Sequence, residues 1–140
     1  MNYNISSNVY SYGSYYNWYS ATAGNGVLDW HDGTTLGDIC PTGWHLPTGD
    51  STGEFKSLNT ALSGTDTFDT ASKNLRKYPN NFIYSGQTIY RNEIRQRGAY
   101  GGYHSATKGG THRSMTIDSS YVNPGLNSGT GLVVRCINGS

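Results

Sequence analysis

Ile39-Cys40-Pro41-Thr42-Gly43-Trp44-His45-Leu46-Pro47-Thr48 is the stretch on which the fold reading turns, because Arg135-Cys136-Ile137 answers it late in the chain. The two segments hold both cysteines of the sequence. Its two prolines fix backbone φ, and Gly43 relieves a tight spot between them. Trp44 and Leu46 are expected to point into a core, with the Trp44 ring beneath a helix that carries Phe55 and Leu58. Two cysteines cannot build a disulfide framework, and without nearby Cys or His partners they make a poor zinc site. They suit one bridge or two free thiols, depending on whether the compartment oxidises. A bridge would close 96 residues, a loop worth up to about 4–5 kcal/mol in the chain-entropy model.

Outward from this stretch, Tyr10 to Thr22 alternates aromatics with small polar residues, as an early strand and its approach would. Ala23 to Asp38, rich in Gly, Asp and Thr, reads as a long loop. Ser51-Thr52-Gly53-Glu54 has capping-box spacing, with Ser51 as the cap. Phe55, Leu58 and Leu62 then give one apolar stripe of a helix that stops near Gly64. A second, shorter helix is expected from about Asp69 to Lys77, ended by Pro79. Phe82-Ile83-Tyr84 and Thr88-Ile89-Tyr90 flank Ser85-Gly86-Gln87 and suit a hairpin. In Met115-Thr116-Ile117-Asp118, alternation sends Met115 and Ile117 inward and Thr116 and Asp118 outward. Leu132-Val133-Val134 reads as a central strand ending at Cys136. Helices followed by strands with long glycine-rich connections form an α+β pattern.

The chain has 140 residues, enough for one domain spanning 1–140 with its own core. Only 34% of residues are hydrophobic, while glycine (19) and tyrosine (12) are abundant. Such a chain buries a small core beneath irregular segments, and tyrosine serves as readily on binding surfaces as in half-buried strands. Ten basic residues face nine acidic ones, for a net charge of +1. No basic stripe suggests nucleic acid, and no apolar run reaches membrane-spanning length. Met1-Asn2-Tyr3-Asn4-Ile5-Ser6-Ser7 lacks the blocks of a signal peptide, so export information lies outside this sequence or the protein stays inside the cell. Asn4-Ile5-Ser6 and Asn138-Gly139-Ser140 are formal glycosylation sequons.

Known chemistries find little to hold. His31, His45, His104 and His112 have no local partner pattern, and there is no Gly-x-Ser-x-Gly elbow. No carboxylate pair stands out. Gly98-Ala99-Tyr100-Gly101-Gly102 precedes no helix and lacks the Lys-Ser/Thr ending of a phosphate loop. The expectation is a protein with no catalytic residue, no metal and no cofactor. What remains is a surface between Gly98 and Gly131, where Tyr, His, Ser, Thr, Asn, Lys and Arg alternate with glycines, a composition like that of an antibody paratope. The glycine clusters at 101–102 and 109–110 are expected to form turns that present their neighbours. Tyr100, Tyr103, His104, Lys108, Thr111, His112, Arg113, Thr116, Asp118, Tyr121 and Asn127 are the expected ligand-binding residues, exposed on one contiguous side.

Several motifs carry a family resemblance in order along nearly the whole chain. They are Tyr15-Tyr16-Asn17-Trp18-Tyr19-Ser20-Ala21-Thr22, the Cys40 segment, Gly53-Glu54-Phe55-Lys56-Ser57-Leu58, Asn81-Phe82 with Ser85-Gly86, Gly98 to Thr107, Ser119-Ser120-Tyr121-Val122-Asn123-Pro124, and Gly131 to Cys136. The chain resembles the multi-copy paralogous surface-protein domains that share the C-type lectin-like fold. It is also similar to the variable proteins of diversity-generating retroelements, which share that fold. The resemblance implies an α+β domain with two helices, small antiparallel sheets and long irregular loops. It also implies a bridge from the early Cys40 to Cys136 in the last strand. Where the paralogous domains often read Tyr-Trp-Ser-Ser-Thr, this chain has Tyr103-His104-Ser105-Ala106-Thr107, so His104 lies outside the core or in a rebuilt one.

The function implied is non-catalytic binding of a macromolecule, protein or glycan, at the cell surface or outside the cell. In the retroelement version, Gly98 to Asn127 is a diversified binding face, and its residues fit the Asn, Tyr, Ser, His, Asp, Thr and Arg palette of adenine-directed mutation. In the alternative version the chain is a fixed-sequence adhesin that works without calcium. Val122-Asn123-Pro124, Tyr78-Pro79-Asn80 and Asp29-Trp30-His31-Asp32 do not supply the converging oxygens of a calcium-dependent lectin. A third class on this fold, the formylglycine-generating oxidoreductases, uses active-site cysteines, whereas the resemblance makes both cysteines structural here.

Overall fold

The computed structural model describes residues 13–24, 33–62, 73–89, 93–109, 111–119, 121–127 and 131–139. Asn4-Ile5-Ser6, Gly64 and the start expected for the second helix lie outside them. In chain order the elements are α1 (Trp18–Ala21), β1 (Gly33–Thr34), β2 (Trp44–His45), α2 (Glu54–Ala61), α3 (Lys73–Arg76), β3 (Gln87–Thr88) and β4 (Ile94–Arg95). β5 (Tyr100–Gly109), β6 (Thr111–Asp118), β7 (Val122–Asn127) and β8 (Ile137–Asn138) follow. β1-β5-β6-β7 form one sheet, and β2-β8 and β3-β4 form two small pairs; every pairing is antiparallel. The chain is therefore α+β. No helix among the described residues is long and apolar enough to cross a membrane.

α2 forms where its apolar stripe predicts, with Phe55 buried and Leu58 and Leu62 packed on the same cluster. Its start differs from the expected box. Gly53 is the N-cap and offers no side chain. The reciprocal pair is made by Thr48: its N–H donates to Glu54 Oε2 at 3.0 Å, and its hydroxyl accepts the Glu54 N–H at 2.9 Å. The capping logic holds, but the partner comes from further upstream because the chain doubles back tightly at Gly53, where a Cβ would strike the Thr48 carbonyl. His45 Nε2 lies 2.7 Å from Glu54 Oε1. Burial works to raise the Glu54 carboxyl, but the Thr48 and His45 bonds outweigh it and hold it below its ordinary value.

Three strand expectations are corrected. Within Tyr10 to Thr22, Tyr16 alone pairs among the described residues, bridging Leu132, and the chain then turns into α1. Asn17 causes this: its side chain accepts the Ser20 N–H at 2.8 Å, a helix cap. The hairpin placed on Phe82-Ile83-Tyr84 and Thr88-Ile89-Tyr90 is instead β3 paired with β4. Ile83 cannot join a ladder, because its N–H and carbonyl are both bonded to the Tyr103 hydroxyl at 2.7 Å. The central strand expected at Leu132-Val133-Val134 is also corrected: Leu132 and Val133 make single bridges, and no strand runs on to Cys136. Leu132 exchanges both bonds with Tyr16, and Val133 lies parallel to Tyr103 on the edge of β5 away from β6.

The core lies in two clusters. Phe55, Leu75, Phe82, Tyr103, Met115, Ile117, Val122 and Val133 form the larger. Ala21, Leu46 and Ala106 form the smaller, with Tyr16, Cys40 and Val134 against it. Cys40 and Cys136 are joined in a disulfide with Cα atoms 5.8 Å apart. Asp38 steadies the approach by accepting the Cys40 and Leu46 N–H groups at 2.8 Å each. Trp44 is not in the core: it is 48% exposed, whereas Leu46 is buried. β2 ends at His45, so strand parity does not carry from Trp44 to Leu46, and the turn at Gly43 (φ +83°) aims the indole outward. Trp18 is the buried tryptophan instead, its indole N–H donating to the Ser105 carbonyl at 2.8 Å.

Candidate binding surface

β5, β6 and β7 bring ten of the eleven expected ligand-binding residues into one sheet, with Tyr121 just before β7, but they do not place them on one open side. The middle of that sheet is closed. Tyr103 is 3% exposed, and His104 and Thr116 are fully buried, which corrects the expectation that all three face solvent. Met115 and Ile117 point inward as alternation requires, but Thr116 between them is buried too, because the sheet is covered on both faces. Gly101 and Gly102 are likewise buried strand residues rather than turns. A Cβ on Gly101 would collide with the Ile83 carbonyl, and one on Gly102 with the Leu132 side chain. Glycine is there for close approach.

His104 belongs to the core. Its Nε2 lies 2.6 Å from the Tyr16 carbonyl and 3.3 Å from the Leu132 N–H, so the ring bridges the early segment and the closing arm. Around it the register between β5 and β6 slips between His104 and Lys108, and the bulged residues are held from several sides. Ser105 Oγ donates to the Arg113 carbonyl at 2.9 Å, the Ala106 N–H to the Pro47 carbonyl at 2.9 Å, and the Gly49 N–H to Thr107 Oγ1 at 3.1 Å. With Trp18 on the Ser105 carbonyl, three stretches distant in sequence converge on Tyr103–Thr107. No spacing along the chain signals that convergence.

The ends of the sheet stay open in part. Tyr100, Asp118 and Tyr121 are half-buried at one end, where Tyr100 stands opposite Asp118 and Asp118 Oδ1 accepts the Tyr121 N–H at 3.0 Å. Lys108 and Arg113 are half-buried at the other, with the Arg113 guanidinium lying against Gly109. Eight residues separate Tyr100 from Lys108, so the ends lie on the order of 25 Å apart before the bulge shortens the strand. The side chains of Thr111, His112 and Asn127 fall outside what is described, although their backbones pair in β6 and β7.

Two tyrosines show how the environments differ. Burial pushes the Tyr103 hydroxyl up to about 12, against its bond with Ile83 and the positive charges of Arg135 and Arg76. Tyr100 also reaches about 12, by burial first and then by the neighbouring Tyr121 and Asp118. Among the described residues no three His, Cys, Asp or Glu side chains gather where they could hold a metal ion. Both cysteines are spent on each other, so neither offers a thiol. No family model, no curated protein and no solved structure matches the chain.

Proposed function

We propose that this chain is a non-catalytic ligand-binding domain of the C-type lectin-like kind, fixed in sequence through the middle of β5 and β6 and making its contacts at the ends of the sheet. The burial of Tyr103, His104 and Thr116 carries this reading, because residues that complete a core cannot be exchanged freely. It favours a fixed-sequence adhesin over a face diversified from Gly98 to Asn127. The disulfide between Cys40 and Cys136 suits an oxidising compartment such as the cell surface. The partner is a macromolecule, protein or glycan, bound without calcium.

The retroelement reading survives in a narrower form. Tyr100, Arg113, Asp118 and Tyr121 remain partly open and belong to the residue palette of adenine-directed mutation. Two libraries separate the versions. Randomising Tyr100, Lys108, Arg113, Asp118 and Tyr121 should leave most members folded, whereas randomising Tyr103, His104 and Thr116 should leave few. Equal tolerance in both, read as soluble folded protein, would sink the fixed-centre reading. A neighbouring reverse transcriptase with an imperfect repeat of this coding region, differing only at adenines, would establish the diversified version.

A further inference from the structure

A small cleft of about 250 Å³ opens between the Asn81–Ile83 stretch and the closing arm at Val133, Val134 and Arg135, with Gly13 and Tyr103 completing its lining. Its chemistry is two-sided. Ile83, Val133, Val134 and the Tyr103 ring supply apolar wall, and Arg135 and Asn81 supply polar groups. The Tyr103 hydroxyl is already engaged in both directions by Ile83, so it serves as rigid wall. Tyr103 also packs edge-to-face on Phe82, with ring centroids 4.8 Å apart.

Arg135 is the group with capacity to spare. Its guanidinium sits 4.9 Å from the centre of the Phe82 ring and donates through Nη2 to the Asn80 carbonyl, which together fix its plane. A guanidinium has five N–H donors in a rigid fork, and among the described residues Arg135 forms no salt bridge. Arg76, stacked at 3.8 Å over Tyr84, adds a second positive charge that acts on Tyr103 along with Arg135. A concave site with one oriented fork, apolar walls and a positive field selects an anion with an apolar body.

We propose that this cleft binds a small carboxylate with an aliphatic body, such as the C-terminal residue of a peptide ending in leucine or valine. The carboxylate would lie on the Arg135 fork within reach of the Asn81 amide, and the side chain against Ile83, Val133 and Val134. The volume is below the usual range for drug-sized ligands, which limits the occupant to about one residue. A sugar acid fits less well, because its hydroxylated ring gains nothing from burial against the Ile83, Val133 and Val134 side chains. The cleft is separate from the open ends of the sheet, so it stands or falls independently of the function proposed above.

The test is an NMR titration of the whole chain with N-acetyl-leucine, N-acetyl-leucinamide and glucuronate. N-acetyl-leucine should shift the amide signals of Gly13, Asn81, Val133 and Val134. The neutral amide and the glucuronate should each bind roughly tenfold more weakly or worse, since each lacks one half of the match. Arg135→Gln should abolish the response, and Arg135→Lys should weaken it by keeping the charge without the fork. Should Arg135→Gln unfold, the acid and amide pair on the natural chain still decides the matter. No shifts at the cleft, or equal shifts from acid and amide, would overturn the proposal. Glucuronate binding as well as N-acetyl-leucine would overturn its aliphatic half.

Discussion

The middle of β5 and its two ends are written in the same alphabet of Tyr, His, Ser, Thr and Lys, yet they have opposite fates. Tyr103 and His104 are sealed in, and Tyr100 and Lys108 are half open. Nothing in their own side chains makes the difference. The middle is covered because Tyr16, Trp18, Pro47–Gly49 and Leu132-Val133 all spend hydrogen bonds on it. A paratope-like composition therefore reports residues able to serve in either place, and the arrival of other segments decides which place it is.

That contrast can be broken from its strongest tie downward. The disulfide holds the cover in place, with Cys40 packed against the cluster that contains Ala106. Replacing both cysteines by serine should cost up to about 4–5 kcal/mol in urea unfolding, given the long loop. A loss under about 1 kcal/mol would mean that the cover holds without it. Next come the two tryptophans. Trp18→Ala should cost about 3–5 kcal/mol, as large buried aromatic truncations do, and Trp44→Ala, with about half of its surface in solvent, should cost less, about 1–2 kcal/mol. Equal costs would erase the distinction between the covered middle and the rim.

Smaller changes sharpen the same comparison. Tyr103→Phe keeps the ring and removes the hydroxyl that serves both backbone groups of Ile83, so about 1–3 kcal/mol should be lost. Lys108→Ala, at the open end, should change stability by less than about 0.5 kcal/mol. If Lys108→Ala costs more than Tyr103→Phe, the end is the tighter region and the assignment is reversed.

Alkaline titration probes both places at once. Tyr100 and Tyr103 keep their protons to about 12 in the folded chain, against an ordinary value of 10.0. The unfolded chain therefore ionises these phenols first. Their contribution to stability is complete below pH 10 and is lost as the pH rises to about 12. Asp118→Asn should lower the value of Tyr100, whose phenolate it repels, and leave that of Tyr103 unmoved. An equal fall at both, followed by ultraviolet absorbance with Tyr→Phe controls, would mean that Asp118 acts through the whole sheet.

The sequence by itself was enough for the features whose cause is local. The stripe of Phe55, Leu58 and Leu62 makes α2, and the alternation at Met115 and Ile117 points both inward. The two cysteines allow one bridge or two free thiols, and the resemblance implies the bridge that the structure forms; the order of helices and strands gives α+β. The tertiary structure alone decided which tryptophan is core, which hydroxyl caps α2, and which of eleven expected contact residues are closed off. Those outcomes depend on segments tens of residues away meeting at one place, as Trp18 meets Ser105 and Tyr16 meets His104. A periodic pattern records which side of its own strand or helix a residue takes. Whether that side is then covered is settled by partners the pattern does not contain.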